Sequence, residues 1–123
     1  MVYCMDKHEL QQRTKAFALR IVRLYKSLPS DADAQVLGKQ LLRCGTSVGA
    51  NYRAACHGKS TADFLAKMKI CEEEADECEY WLDLLAEGGI VKHTLLEPLH
   101  QEAREFAAIM AAAARTTRLR QQA

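Results

Sequence analysis

Proline and glycine are scarce in this chain of 123 residues, at two and six. Their scarcity leaves room for long uninterrupted helices. An excess of one charge is also missing. Seventeen basic side chains face sixteen acidic ones, a formal net charge of +1. That balance argues against a domain whose whole surface serves nucleic acid, while permitting a local basic patch. No segment approaches the ~18 apolar residues of a membrane span, so no membrane contact is expected. The start, Met1 to Lys7, lacks the basic opening and apolar run of a signal peptide. The expected compartment is therefore cytoplasmic. The five cysteines are odd in number and none sits in a C-x-x-C. They read as small buried hydrophobes rather than ligands or redox pairs. A phosphate-binding glycine loop, a zinc motif and a nucleotide fingerprint are all absent, and no cofactor is expected.

What is present is apolar periodicity. Apolar residues make up 49% of the chain, ample for one core in one domain. Leu10, Phe17, Ile21, Leu24 and Leu28 recur at heptad-type spacings, with Thr14 in the one polar gap, and predict a helix over 6–27. Pro29 disfavours helical geometry at Leu28, and Ser30 or Asp31 can cap a second helix over 32–56. Leu37, Leu41, Cys44 and Val48 form its stripe. Gly58 suits a helix end, and Ser60 or Thr61 opens a third helix over 61–87. Its stripe, Phe64, Met68, Cys71, Ala75, Cys78, Leu82 and Leu85, steps by four and three without a miss. Gly88-Gly89 stops it, with Ile90 positioned to pack back. Thr94-x-x-Glu97 reads as a capping box for a fourth helix over 95–118. Leu99, Ala103, Phe106, Met110 and Ala113 are its stripe, and the chain from Arg115 onward is expected to fray. Four amphipathic helices joined by short links predict an all-α, antiparallel up-down four-helix bundle in a single domain, 1–123.

Gly45 and Gly49 are unusual inside a helix, because each costs ~1 kcal/mol against alanine. Their spacing puts them on one face, where another helix backbone comes close. A loop break here is the competing reading. Ser47 and Asn51 are one turn apart, but nothing at helical spacing activates Ser47 as a nucleophile. With the two glycines they form a structural helix–helix contact.

Charge is unevenly spread. Residues 60–87 hold nine acids against Lys67 and Lys69, and residues 6–27 hold six bases against Asp6 and Glu9. Like-charge pairs at i,i+4, such as Glu72/Asp76 and Glu79/Asp83, each cost ~0.2–0.5 kcal/mol in an isolated helix. A basic surface meeting this helix would offset the cost, within the chain or between copies. Arg13, Arg20 and Arg23 flank the first core stripe and can supply it. Ile70, Tyr80, Trp81 and Leu84 exceed what the third stripe needs, and aromatics beside a core are typical interface anchors. Self-association is expected, with Arg13, Arg20, Arg23, Glu72, Asp76, Glu79, Tyr80, Trp81 and Leu84 at the interface.

Catalytic and metal chemistry find little support. Glu97-x-x-His100 has the spacing of a di-metal carboxylate helix, but that site needs two such motifs and further glutamates. His8, His57 and His93 fall at helix ends or in loops. No catalytic or metal residue is assigned. Arg104, Arg115, Arg118 and Arg120 lie off the fourth core stripe or in the tail. They are candidate nucleic-acid contacts, although arginines also gather at helix C-termini to complement the dipole.

The run Leu41 to Arg53, with Gly45-Thr46-Ser47-Val48-Gly49-Ala50-Asn51-Tyr52 at its centre, resembles the signature of a known family. So do Ser60-x-x-Asp63-Phe64-x-x-Lys67-Met68 and Glu74-Ala75-Asp76-Glu77-x-x-Tyr80-Trp81-Leu82. Together they resemble the four-helix-bundle proteins named for the intervening sequence of 23S ribosomal RNA genes. The resemblance implies an antiparallel bundle, a homopentameric ring and no enzymatic activity. The family is similar in fold to the accessory variability proteins of diversity-generating retroelements, which bind a reverse transcriptase and nucleic acid. The expected function is a non-catalytic, self-associating adaptor for RNA or a nucleic-acid-processing partner. The alternatives are a purely protein-binding or structural oligomer and, remotely, a small metal-binding enzyme.

Overall fold

A computed structural model describes residues 6–123. Cys4 and the N-terminal stretch Met1–Met5 lie outside the described residues. Four helices follow in order: α1 Lys7–Ser27, α2 Ala32–Cys56, α3 Thr61–Glu87 and α4 His93–Gln122. Each packs on its sequence neighbours, α1 also touches α4, and no diagonal pair meets among the described residues. That is an up-down four-helix bundle, as the periodicity predicts.

The helix ends follow from local chemistry. Asp6 caps α1, accepting from the Glu9 amide at 2.8 Å, and Ser60 caps α3 through the Asp63 amide at 3.0 Å. Leu28, before Pro29, is extended with φ −72° and ψ 148°. α3 closes in a Schellman turn. Gly89 takes the left-handed conformation at φ 74°, its amide reaches the Ala86 carbonyl at 3.1 Å, and the Ile90 amide reaches Leu85 at 3.0 Å. Ile90 then packs against the core, as expected.

α4 departs from expectation at both ends. It opens at His93 with Lys92 in the capping position and no side-chain cap. The capping box at Thr94 and Glu97 therefore does not form. Both residues lie inside the helix, and the Glu97 carboxylate sits 3.5 Å from His93 Nδ1. The end does not fray at Arg115 but stays helical to Gln122. Ala114 rather than Ala113 continues the buried stripe, which begins one turn earlier at Leu96.

The core holds six of the seven expected α3 positions, with Phe64 half-buried at the bundle end. Cys44, Cys71 and Cys78 are fully buried free thiols, and Cys56 is half-buried. Cys78 and Cys44 approach at 3.3 Å between sulfurs across α2 and α3. Burial pushes the Cys71 thiol up to about 12 and, after the hydrogen bond to Cys44, also raises Cys78. Neutral, packed thiols match the reading of cysteine as a small hydrophobe.

α2 is continuous through Gly45 and Gly49, so the loop-break reading fails. A Cβ at Gly45 would lie 2.9 Å from Ile21 Cγ1, and one at Gly49 would lie 3.2 Å from Thr14 Oγ1. The two glycines let α1 approach. Ser47 and Asn51 do not share that seam. Asn51 Nδ2 donates to the Ser47 carbonyl at 2.9 Å and to Ser47 Oγ at 2.8 Å, a local pair within α2.

Candidate interaction surfaces

The sequence splits its charge between the halves of the bundle. Residues 6–59 carry ten basic and four acidic side chains; residues 60–123 carry seven and twelve. The fold neutralises part of this internally, by pairs that no single helix reveals.

The acidic α3 is flanked on both sides. From α2, Arg43 pairs with Glu74 at 3.1 Å and also with Glu77. The same Glu77 oxygen accepts from the Trp81 indole at 2.8 Å. The Glu74 hydrogen bond, first among several causes, holds the Arg43 guanidinium pKa up. From α4, Arg104 lies 3.5 Å from Glu79, and His100 Nε2 lies 2.9 Å from Asp83. Arg104 Nη2 is 3.2 Å from His100 Nδ1. The same Nδ1 lies 3.7 Å from Glu79, so the imidazole sits among two carboxylates and a guanidinium.

Arg13 is also consumed internally. It forks onto Glu102 at 2.7 and 2.9 Å, reaches Glu105, and stands 5.1 Å from the Phe106 ring centre. Its pKa is held up, first by the Glu102 hydrogen bond. Of the nine expected interface residues, Arg13 and Glu79 thus have ion-pair partners within the chain, on α4, and the Trp81 indole is engaged by Glu77. Arg20, Arg23, Glu72 and Asp76 form no ion pair among the described residues. Tyr80 is 56% exposed and meets Trp81 edge-on, ring centres 5.0 Å apart. Trp81 and Leu84 are half-buried, and Ile70, three turns earlier on α3, is exposed. Arg104 is tied to Glu79, whereas Arg115, Arg118 and Arg120 are exposed on the last turns of α4 without an ion pair among the described residues.

Sequence reasoning missed Arg43, Glu102, Glu105 and the His100–Asp83 contact. Each rests on a register between antiparallel helices, which periodicity along one helix does not contain. Charge of opposite sign on neighbouring helices is the signal that was available.

Among the described residues, two of the outer grooves run between neighbouring helices. One, about 510 Å³, lies between α3 and α4 and is lined by Glu79, Asp83 and Glu97 with His93, His100 and Arg104. The other, about 450 Å³, lies between α1 and α2 and is lined by Gln11, Gln12, Lys15, Thr46, Arg53 and His57. No carboxylate lines it. Among the described residues no group of three His, Cys, Asp or Glu side chains is placed to hold a metal ion. Among them, too, no helix is long and apolar enough to cross a membrane.

Comparison with known proteins agrees with this geometry. No curated protein matches the chain. A crystal structure of a protein of unknown function from the S23 ribosomal protein family of Bacteroides thetaiotaomicron is 36% identical. It superposes with a TM-score of 0.83, covering 90% of this chain and 99% of that one. The family model described as 23S rRNA-intervening sequence protein matches residues 6–112. With Gly45 and Gly49 set against α1 and four helices in the expected order, the chain belongs to the 23S rRNA-intervening sequence protein family.

Proposed function

We propose that the chain is a non-catalytic, self-associating bundle that serves as an adaptor for RNA or a nucleic-acid-processing partner. The observation that supports self-association best is the unsatisfied outer face of α3. Tyr80 and Ile70 are exposed there, and Glu72 and Asp76 form no ion pair among the described residues even after Arg43, His100 and Arg104 have taken their neighbours. Arg20 and Arg23 on α1 are left over with the opposite sign. A contact between these two different faces is heterologous, and a heterologous contact closes into a ring when its rotation allows. The family resemblance supports five copies in that ring. The nucleic-acid part of the reading is supported by the exposed arginines at the end of α4 and by the resemblance in fold to the accessory variability proteins.

Light scattering tests the assembly. The wild-type chain is expected to be a discrete oligomer, and R20E/R23E to dissociate while keeping its helicity. E72R/D76R added to R20E/R23E should restore it. An oligomer unchanged by R20E/R23E refutes the charge pairing. The second reading is a purely structural or protein-binding oligomer. The capture of Arg104 by Glu79 favours it, because one of four candidate RNA contacts is already engaged. An intact oligomer with no RNA affinity at low salt decides for it.

A further inference from the structure

We propose that the α1–α2 groove is the docking track for a single RNA strand, an inference that rests on the RNA-adaptor reading and gives it a location. The chain holds sixteen acids, yet none lines this groove. Lys15 on α1 and Arg53 on α2 stand on its two walls, and His57 closes one end. Neither cation forms an ion pair among the described residues, whereas Arg13, Arg43, Lys67 and Arg104 all do. Two unneutralised cations facing one cavity are a site for anionic charge.

The track continues. Two residues past His57, Lys59 lines a second cavity of about 500 Å³, with Lys7 and the half-buried Phe64 also on its wall. The Asp63 carboxylate stands at its rim beside Gly58, where Lys67 pairs with it at 2.9 Å. Lys15, Arg53, Lys59 and Lys7 thus trace a basic path along the seam and over the bundle end. A cationic groove that follows the backbone, with an aromatic face for a base, is how proteins hold single strands.

Charge layout selects the occupant. The groove's floor includes Thr14 and Gly49, where the helices approach so closely that a Cβ at Gly49 would be 3.2 Å from Thr14 Oγ1. The cations Lys15 and Arg53 stand along this seam rather than in one cluster. Such a line of charge matches the successive phosphates of an extended strand. Gln11 and Gln12 add amides that donate and accept, suited to sugar hydroxyls and base edges.

The test is fluorescence anisotropy with a labelled single-stranded oligouridylate, titrated between about 50 and 200 mM salt. Four phosphate contacts on a single strand give a log–log salt slope of about −2.8. K15E/R53E is expected to bind ~10-fold more weakly or worse, and K15Q/R53Q to bring the slope to about −1.4. Both variants should keep wild-type helicity and oligomer size. If charge reversal unfolds the chain, the salt slope of K15Q/R53Q decides alone: a slope still near the wild-type value overturns the groove. R115E/R118E/R120E should leave the dependence on Lys15 and Arg53 in place. Unchanged binding by K15E/R53E, with loss on reversing the α4 arginines, overturns the groove but leaves the RNA reading standing. No wild-type binding at low salt overturns both. Equal affinity for an RNA duplex overturns the single-strand occupant. Dissociation of the oligomer by K15E/R53E overturns the proposal by making the groove a contact between copies.

Discussion

α1 is held on its two sides by different physics. Against α2 it meets a surface from which side chains have been removed: Ile21 lies over Gly45 and Thr14 over Gly49. Among the described residues no ion pair crosses that seam. Against α4, where the backbones stay farther apart, it reaches across with large groups. Phe17 meets Phe106 edge-on with ring centres 5.3 Å apart, and Arg13 forks onto Glu102 and reaches Glu105. One seam depends on absence of bulk and the other on presence of charge and aromatic surface. A close seam leaves no room for long charged pairs, so the cations beside it, Lys15 and Arg53, stay unneutralised. The wider seam absorbs its arginine into the fold.

The largest effect should come from adding bulk to the close seam. In Gly45→Val, the new Cβ alone would stand 2.9 to 3.2 Å from three Ile21 atoms, all near the α1 backbone. Overpacking of this kind costs about 1–3 kcal/mol, and we expect the upper part of that range. Urea denaturation should show a lower midpoint at unchanged slope. Ile21→Ala in the same chain should relieve the clash, so that the double variant loses less than the two singles combined. Strict additivity would mean that the seam relaxes elsewhere and that its closeness is not what Gly45 provides.

A smaller loss, about 1 kcal/mol, is expected for Arg13→Ala on the wide seam, given a half-exposed network. Its pH dependence separates it from the first variant. The Glu105 carboxyl is held below the usual carboxylate range, first by the Gln101 amide and then by Arg13. A carboxyl depressed in the folded state stabilises the fold above its unfolded pKa, about 4.3. That contribution disappears as pH falls through the lower folded value. The gap between wild type and Arg13→Ala should therefore narrow from pH 7 to acid, while the gap for Gly45→Val should not. Urea midpoints at several pH values give both curves.

Much of the fold was legible in the sequence because burial repeats every three to four residues. The seven-membered α3 stripe, the Ser60 cap and the Gly88-Gly89 stop needed only one helix at a time. The glycine pair could be assigned to a close approach because unneeded glycine is costly in a helix. The ends of α4 were harder. Thr94 and Glu97 have the right spacing for a box, yet the helix starts a residue before Thr94, and the Arg115–Gln122 turns remain helical. The candidate surfaces were legible as charge imbalance but not as pairs. Arg13 sits as correctly for an interface as Arg20 does, and only the register of α1 against α4 brings it to Glu102. Likewise the α1–α2 groove joins residues 11–15 to residues 46–57, a juxtaposition that no local pattern encodes.

Gly49→Ala should have the smallest effect, and two terms of opposite sign decide it. Alanine gains ~1 kcal/mol over glycine inside a helix. Against this, the new Cβ would lie 3.2 Å from Thr14 Oγ1, 3.3 Å from Thr14 Cβ and 3.4 Å from the Thr14 carbonyl carbon. Those contacts are tight without being impossible. Thr14 has little freedom to retreat, since its hydroxyl donates to the Leu10 carbonyl at 3.0 Å and its side chain is buried. A shift of a few tenths of an ångström in α1 is therefore expected to offset most of the helical gain. The net should fall within ~0.5 kcal/mol of wild type, read as a nearly unchanged urea midpoint. The same methyl would also raise the floor of the α1–α2 groove. Oligouridylate affinity should fall more than stability does, and a loss of stability as large as that of Gly45→Val would show that α1 cannot move at Thr14 either.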